Sequence, residues 1–228
     1  MRNILITGIS GGIGKSVAQK LLATGSTIIG LDQTISDDIK EIADKYSKQL
    51  ILHPCNLMNV DRLSAFIKDL VTEYGPIGGF VHCAGYDKMA PLHLTKIEDI
   101  ENLWRIHALV PMLIIAVMIK MDSQGPVFYR QERITTYGKR FRIHKFRTMI
   151  NNADKIGAAV TVSNDNRITK VGVKLRKLRL DELPQLFDVI TGNMSFVGTR
   201  PESLKYVKMY TKEMRATLLL PAGITSEA

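Results

Sequence analysis

Cysteine is nearly absent from this 228-residue chain: Cys55 and Cys83 are the only two, and no Cys-x-x-Cys occurs. That excludes a disulfide-stapled scaffold or a zinc ribbon and fits a reducing, cytoplasmic compartment. The N-terminus opens directly on a strand pattern, without the apolar h-region of a secretory leader. Long hydrophobic runs are also missing. The longest uncharged apolar run, Ala108 to Ile119, has 12 residues and contains Pro111, against the ~20 that span a bilayer. A buried helix, or one that is interfacial or re-entrant, is the expectation there. No internal repeat, low-complexity linker or Tyr-x-x-x-Lys sequence is present.

Charge separates two halves. Residues 1–107 carry 11 Lys/Arg against 12 Asp/Glu, whereas residues 108–228 carry 20 against 10. A neutral first half suits an ordinary soluble fold. A second half with a net charge of +10 suits an anionic partner: nucleic acid, a membrane surface or a phosphorylated substrate.

Periodicity gives the first half its class. Residues 2–7, 26–31, 49–54 and 77–83 are short apolar runs, and Ser16 to Ala23, Ile39 to Tyr46 and Leu63 to Tyr74 between them repeat at helical spacing. Such alternation predicts parallel βαβ units with right-handed crossovers. From Ile97 a helical pattern runs without a breaker into Leu109 to Ile115, so that one helix serves both halves. Beyond Gly125 and Pro126, alternation at 127–129 and 141–146 around Thr136-Tyr137-Gly138-Lys139 predicts a strand pair, and residues 170–190 and 201–215 read as helical.

Thr7-Gly8-Ile9-Ser10-Gly11-Gly12-Ile13-Gly14 follows the apolar run Ile4-Leu5-Ile6 and precedes a helix, the context of a dinucleotide-binding turn. A Walker A loop ending in Gly14-Lys15-Ser16 fails on spacing, because its first glycine would have to be Ile9. A tight strand-to-helix turn without any ligand is the competing reading. With Asp32 closing the second strand, Asn56, and His82-Cys83-Ala84-Gly85, this half resembles the start of a short-chain dehydrogenase/reductase. The resemblance implies NAD, favoured over NADP by Asp32, bound by Gly8, Ser10, Gly12, Ile13, Gly14, Asp32, Asn56, Ala84 and Gly85. Dehydrogenase activity is not expected without the Tyr-x-x-x-Lys pair, in which lysine lowers the tyrosine pKa for proton transfer.

The second half has a different signature. Two adjacent acids stand in an apolar frame, Leu180-Asp181-Glu182-Leu183-Pro184-Gln185-Leu186, followed by Gly192-Asn193-Met194-Ser195-Phe196-Val197-Gly198-Thr199-Arg200-Pro201. Upstream lie Gly125-Pro126-Val127-Phe128-Tyr129-Arg130-Gln131, Lys145-Phe146-Arg147-Thr148-Met149 and Asn164-Asp165-Asn166-Arg167. An isolated acidic pair at a helix start is usually a solvated first turn that the helix dipole favours. In this company and order the motifs resemble the bacterial sugar transferases, the monotopic phosphoglycosyl transferases that load a sugar phosphate onto a polyprenyl phosphate. The resemblance implies Asp181 as nucleophile, Glu182 and Asp181 as Mg²⁺ ligands, and Arg200, Lys145, Arg147 and Arg167 as phosphate ligands. It also implies a nucleotide diphosphate sugar, polyprenyl phosphate and the cytoplasmic membrane surface as partners, with peripheral attachment at its inner face. The aromatics interleaved with Arg and Lys at 128–147 accompany no nucleic-acid motif, and no nucleic acid is expected.

The expected fold class is therefore α/β: a four-stranded parallel half-Rossmann sheet in a partial domain at 1–107, then a small α/β sugar-transferase core with a short apolar helix at 108–228. The alternative is a NAD-binding module without redox activity.

Overall fold

The computed structural model describes residues 3–156 and 165–226, and the chain forms two compact units, Met1–Met118 and Ile119–Ala228. Arg2 and Asn164, each part of a pattern quoted above, lie outside the described residues.

In the first unit β1 (Asn3–Thr7), α1 (Gly12–Ala23), β2 (Thr27–Asp32), α2 (Asp37–Lys45), β3 (Leu50–Pro54), α3 (Val60–Tyr74) and β4 (Ile77–His82) alternate as their periodicity requires. The strands form one parallel sheet in the order β3-β2-β1-β4. Ile6, Ile9, Ala18, Leu22, Ile28, Ile39 and Leu50 pack together in one core cluster, and Leu5, Ile29, Leu31, Leu63, Ile67 and Leu70 in a second. Buried on both faces, the strands are apolar runs rather than alternating ones.

The helix that follows, α4, runs from Ile97 to Asp122, 26 residues. It is the single helix that the unbroken pattern from Ile97 predicts, and with the 12-residue apolar run inside it, it is long and apolar enough, by length and composition, to cross a membrane. Ile106, Val110, Ile114 and Val117 on one of its faces join the second core cluster of the first unit. Its middle widens into a π turn at Arg105–Leu109, where the Val110 N–H donates to the Arg105 carbonyl five residues back.

The second unit is built around the antiparallel pair β5 (Phe128–Ile134) and β6 (Arg140–Phe146), joined by a turn in which Tyr137 and Gly138 take positive φ. Next come α5 (Ala153–Ile156), α6 (Lys170–Lys177), a 3₁₀ turn at Leu180–Glu182, α7 (Gln185–Ile190), β7 (Ser195–Val197), α8 (Leu204–Val207) and β8 (Gly223–Thr225). The stretch 170–190 is thus two helices. Arg179 between them adopts φ 58°, a left-handed conformation that ends the first. The stretch 201–215 holds only the single turn α8 and the start of a 3₁₀ segment, Met214–Leu219. There the Met214 N–H donates to the Thr211 hydroxyl, a local bond that competes with the helical one. The parallel pair β7–β8 has no counterpart in the sequence reading; at its end a Cβ on Gly198 would meet the Pro221 carbonyl oxygen at 2.4 Å, so only glycine fits.

Candidate active site

The left-handed Arg179 turns the chain so that Asp181 and Glu182 sit on the 3₁₀ turn, and Pro184, suited to a helix start, leads into α7. Across from them, β6 alternates. Phe141 and Ile143 pack against Met194, Val189 and Ile224, and Lys145 ends the same face. Its Nζ donates to Glu182 Oε1 at 2.7 Å. Arg200 follows β7 and lines, with Arg133, Lys145, Glu182 and Gln185, one shallow cleft.

The two acids are driven apart electrostatically. Burial raises the pKa of Asp181, and the neighbouring Glu182 charge raises it further, against Lys145. Burial also acts to raise that of Glu182, but the Lys145 hydrogen bond and the charges of Lys145, Arg200 and Arg179 override it, and the net shift is downward. The dyad therefore combines one firmly ionised carboxylate with one whose charge is less favoured. Among the described residues no group of three His, Cys, Asp or Glu side chains is placed to hold a metal ion. A magnesium ion is usually held by one or two carboxylates with its remaining positions filled by water and substrate phosphates, so the pair fits that ion without a third ligand.

The structure thus brings together Asp181, Glu182, Lys145 and Arg200. It gives Arg147 a different task. That side chain is 5 % exposed, and its guanidinium donates to the carbonyls of Pro126 (2.5 Å), Ser123 (2.9 Å) and Met149 (3.3 Å) and to the Ser123 hydroxyl (2.6 Å). Arg147 lies just beyond the end of β6, where strand alternation no longer sets its direction and the backbone carbonyls of Ser123, Pro126 and Met149 consume its donors. Arg167 is likewise committed, forking onto Asp165 (Nη2 to Oδ2, 2.6 Å) and donating to the Ala153 carbonyl. That contact draws the Asp165 pKa down to about 2.

Two residues were not singled out from sequence. Asp188 is 1 % exposed and accepts the backbone N–H of His144 at 2.9 Å and the His144 Nδ1–H at 2.8 Å, capping the open edge of β6. Gln185 is 3 % exposed and lines the cleft. The signal was spacing. Glu182, Gln185 and Asp188 recur every third residue along one helical face, while Ile190 on the same helix is exposed, so the polar face of this segment is the inner one.

In the first unit the turn after β1 is tight: Gly8 has φ 71°, and a Cβ on Gly14 would meet the Gly8 carbonyl oxygen at 2.1 Å. Gly12 faces open space, with nothing within 4 Å of its would-be Cβ, and Ile13 beside it is exposed. Asp32 reaches the same turn: its Oδ2 accepts the Ser10 N–H at 2.9 Å and its Oδ1 the Gln33 N–H at 2.8 Å. Asn56 is exposed and turned inward on itself, accepting the Met58 N–H, while Ala84 packs against Gly8. His107, whose Nε2 bonds the Tyr86 carbonyl, lies over Gly85.

Sequence models of two families match the chain. The one described as bacterial sugar transferase covers residues 97–228, and the one described as short chain dehydrogenase covers residues 2–126. The chain is 46 % identical over 103 residues to the UDP-N-acetylgalactosamine-undecaprenyl-phosphate N-acetylgalactosaminephosphotransferase of Aeromonas hydrophila, covering 45 % of this chain and 24 % of that protein. It is 40 % identical over 141 residues to the UDP-glucose:undecaprenyl-phosphate glucose-1-phosphate transferase of Escherichia coli (strain K12), covering 59 % and 30 %. It spans only about a quarter to a third of the length of these two relatives. The crystal structure of a short-chain dehydrogenase from Streptomyces avermitilis superposes with a TM-score of 0.50 at 20 % identity, over 53 % of this chain and 44 % of that one, a likeness of fold.

Proposed function

Because the chain belongs through residues 97–228 to the bacterial sugar transferase family and through residues 2–126 to the short chain dehydrogenase family, we propose that it transfers a sugar phosphate from a nucleotide diphosphate sugar to polyprenyl phosphate. The observation that carries this reading is the half-buried Asp181–Glu182 dyad, with Glu182 held by Lys145 and Arg200 on the same cleft.

In this mechanism the Asp181 carboxylate attacks the sugar-linked phosphorus. The phosphoanhydride bond breaks, a nucleoside monophosphate leaves, and an aspartyl sugar phosphate remains. A polyprenyl phosphate oxygen then attacks the same phosphorus and returns Asp181 as the free carboxylate. Arg200 and Lys145 supply positive charge to the phosphates, and the Lys145 bond keeps Glu182 ionised and in place. Asp181 and Glu182 would hold Mg²⁺, which when bound offsets the pyrophosphate charge. The basic second half favours work at the anionic inner surface of the cytoplasmic membrane, with polyprenyl phosphate presented there.

Intact-mass measurement after incubation with UDP-N-acetylgalactosamine or UDP-glucose and Mg²⁺ tests the reading. A sugar-phosphate adduct is expected on the wild type and none on Asp181→Asn. Equal adducts on both would remove Asp181 from the role, and none on either would remove the activity.

For the first unit a second reading rests on its own observation, the open space over Gly12 beside Asp32. It binds NAD as a module without redox chemistry: the α1 N-terminus faces the pyrophosphate, and the Asp32 carboxylate accepts from the adenosine ribose hydroxyls.

A further inference from the structure

The cleft beside the dyad holds one uncharged polar side chain, and the transfer mechanism does not use it. Gln185 is 97 % buried, yet among the described residues its carboxamide meets no hydrogen-bond partner, and it lines the cleft with Lys145, Glu182 and Arg200. A carboxamide placed inside a protein is normally paired, and here its polar atoms meet only the solvent of the cleft. The neighbouring carboxylates do not pair with it: Glu182 is taken by Lys145, and Asp188, one turn further along α7, is taken by His144. The Gln185 amide is therefore free to pair with whatever enters the cleft.

Charge and hydrogen-bond capacity narrow what that is. The cleft already has three cations, Arg133, Lys145 and Arg200, to meet phosphate oxygens. Phosphate oxygens only accept, so they match half of an amide and face its carbonyl unfavourably. A sugar hydroxyl or acylamino group both donates and accepts, and pairs with a carboxamide in either of its orientations. Gln185 lies three residues beyond Glu182 and four beyond Asp181, so on a helical path it stands one turn from the reacting carboxylate, the distance of a sugar ring from its own phosphorus.

We infer that Gln185 is a specificity-determining residue of this site: its carboxamide hydrogen-bonds a hydroxyl or acylamino group of the sugar while the cations hold the phosphates. The inference rests on the sugar-phosphate transfer proposed above. It requires that loss of the amide weaken the sugar nucleotide and spare the nucleotide alone.

Calorimetric titration tests it, in full-length protein carrying Asp181→Asn so that binding is read without turnover, with UDP-N-acetylgalactosamine, UDP-glucose and UDP as probes. Gln185→Met keeps the length and apolar volume of the side chain and removes the amide. It is expected to weaken at least one of the two sugar nucleotides about tenfold, the worth of one hydrogen bond, and to leave UDP within about twofold. Equal loss for UDP and for both sugar nucleotides, or no loss for any, would overturn the assignment while the transfer reading stood. Should the parent bind none of the three probes, the transfer reading fails and this one with it. Gln185→Asn, which keeps an amide but withdraws it by one methylene, carries the same test if thermal melting shows Gln185→Met to be poorly folded: it too must weaken a sugar nucleotide and spare UDP.

Discussion

Replacing Arg147 by Met should destabilise the second unit without touching the site, although sequence places Arg147 among the phosphate ligands. The guanidinium satisfies three carbonyl oxygens and one hydroxyl, on Pro126, Ser123 and Met149. The segment that wraps it is shaped for it: Gly125 has φ 127°, and a Cβ there would come within 3.4 Å of Arg147 Cζ. Met fills much of the volume but donates nothing. Each buried acceptor left without a donor costs ~1–3 kcal/mol, and water entering the gap recovers part, so a net loss of about 3–5 kcal/mol is expected. The assay must be local, because a chain of two units need not unfold in one step and its one tryptophan, Trp104, lies in the first. Hydrogen exchange read by mass spectrometry on peptides from 123–149 supplies it. Exchange through opening of this segment should accelerate by about two to three orders of magnitude, at ~1.4 kcal/mol per tenfold. Arg147→Lys, with one charge and fewer directed donors, should fall between. Unchanged protection in Arg147→Met, with loss of nucleotide-sugar binding, would refute the reasoning and return Arg147 to the ligands.

Removing Lys145 should alter the pH dependence of adduct formation. Lys145 lowers the pKa of both Asp181 and Glu182, so in Lys145→Met both rise; Asp181 must be ionised to attack, and the acid limb of the labelling rate should move to higher pH, whereas an unmoved limb at reduced rate would assign Lys145 to phosphate alone. Arg167→Leu should advance acid unfolding. Asp165 has a folded pKa near 2, below its unfolded value of ~3.9, so its contribution is present above pH ~4 and lost as pH falls toward 2; without Arg167 the acid transition seen by circular dichroism should shift upward in that window. In the first unit Asp32→Asn should narrow a preference for NAD over NADP, because a 2′-phosphate would no longer face a carboxylate. Titration showing NADP preferred by the wild type would count against the cofactor assignment.

The sheet of the first unit was legible because every strand buried on both faces is an apolar run, and each run here is separated from the next by a helix of ordinary length. The dyad and its neighbours Lys145 and Arg200 were legible as motif residues, since chemistry ties residue type to spacing. What sequence did not show is which way a basic side chain points. Lys145 and Arg147 stand two apart in one motif, yet the first ends on the cleft and the second is drawn inside by carbonyls that come from 21 and 24 residues upstream. Gln185 and Asp188 were missed for the converse reason. On a six-residue helix polar positions are read as the outer face, and here the outer face carries Ile190.

The helix Ile97–Asp122 lies wholly within the residues that both family models match, and its middle shows which constraint shaped it. Pro111 has no N–H, so the carbonyl of His107, four residues back, has no helical donor. The π turn just before it leaves the Ile106 carbonyl to accept from His82 Nε2 at 3.0 Å, at the end of β4. A carbonyl only accepts, so the proton is on Nε2, and Nδ1 takes the Thr7 hydroxyl at 2.7 Å. Burial pushes the pKa of His82 down, which favours that neutral form. The widened turn is thus completed by a side chain of the parallel sheet, and the stripe Ile106, Val110, Ile114 and Val117 is buried beside it. In hydrocarbon an unpaired carbonyl costs several kcal/mol, and no side chain of the helix itself replaces His82. Length and apolarity would let the helix cross a membrane, but the π turn and its histidine are features of a helix packed on a sheet. A stripe already buried against β-strands cannot at the same time face lipid.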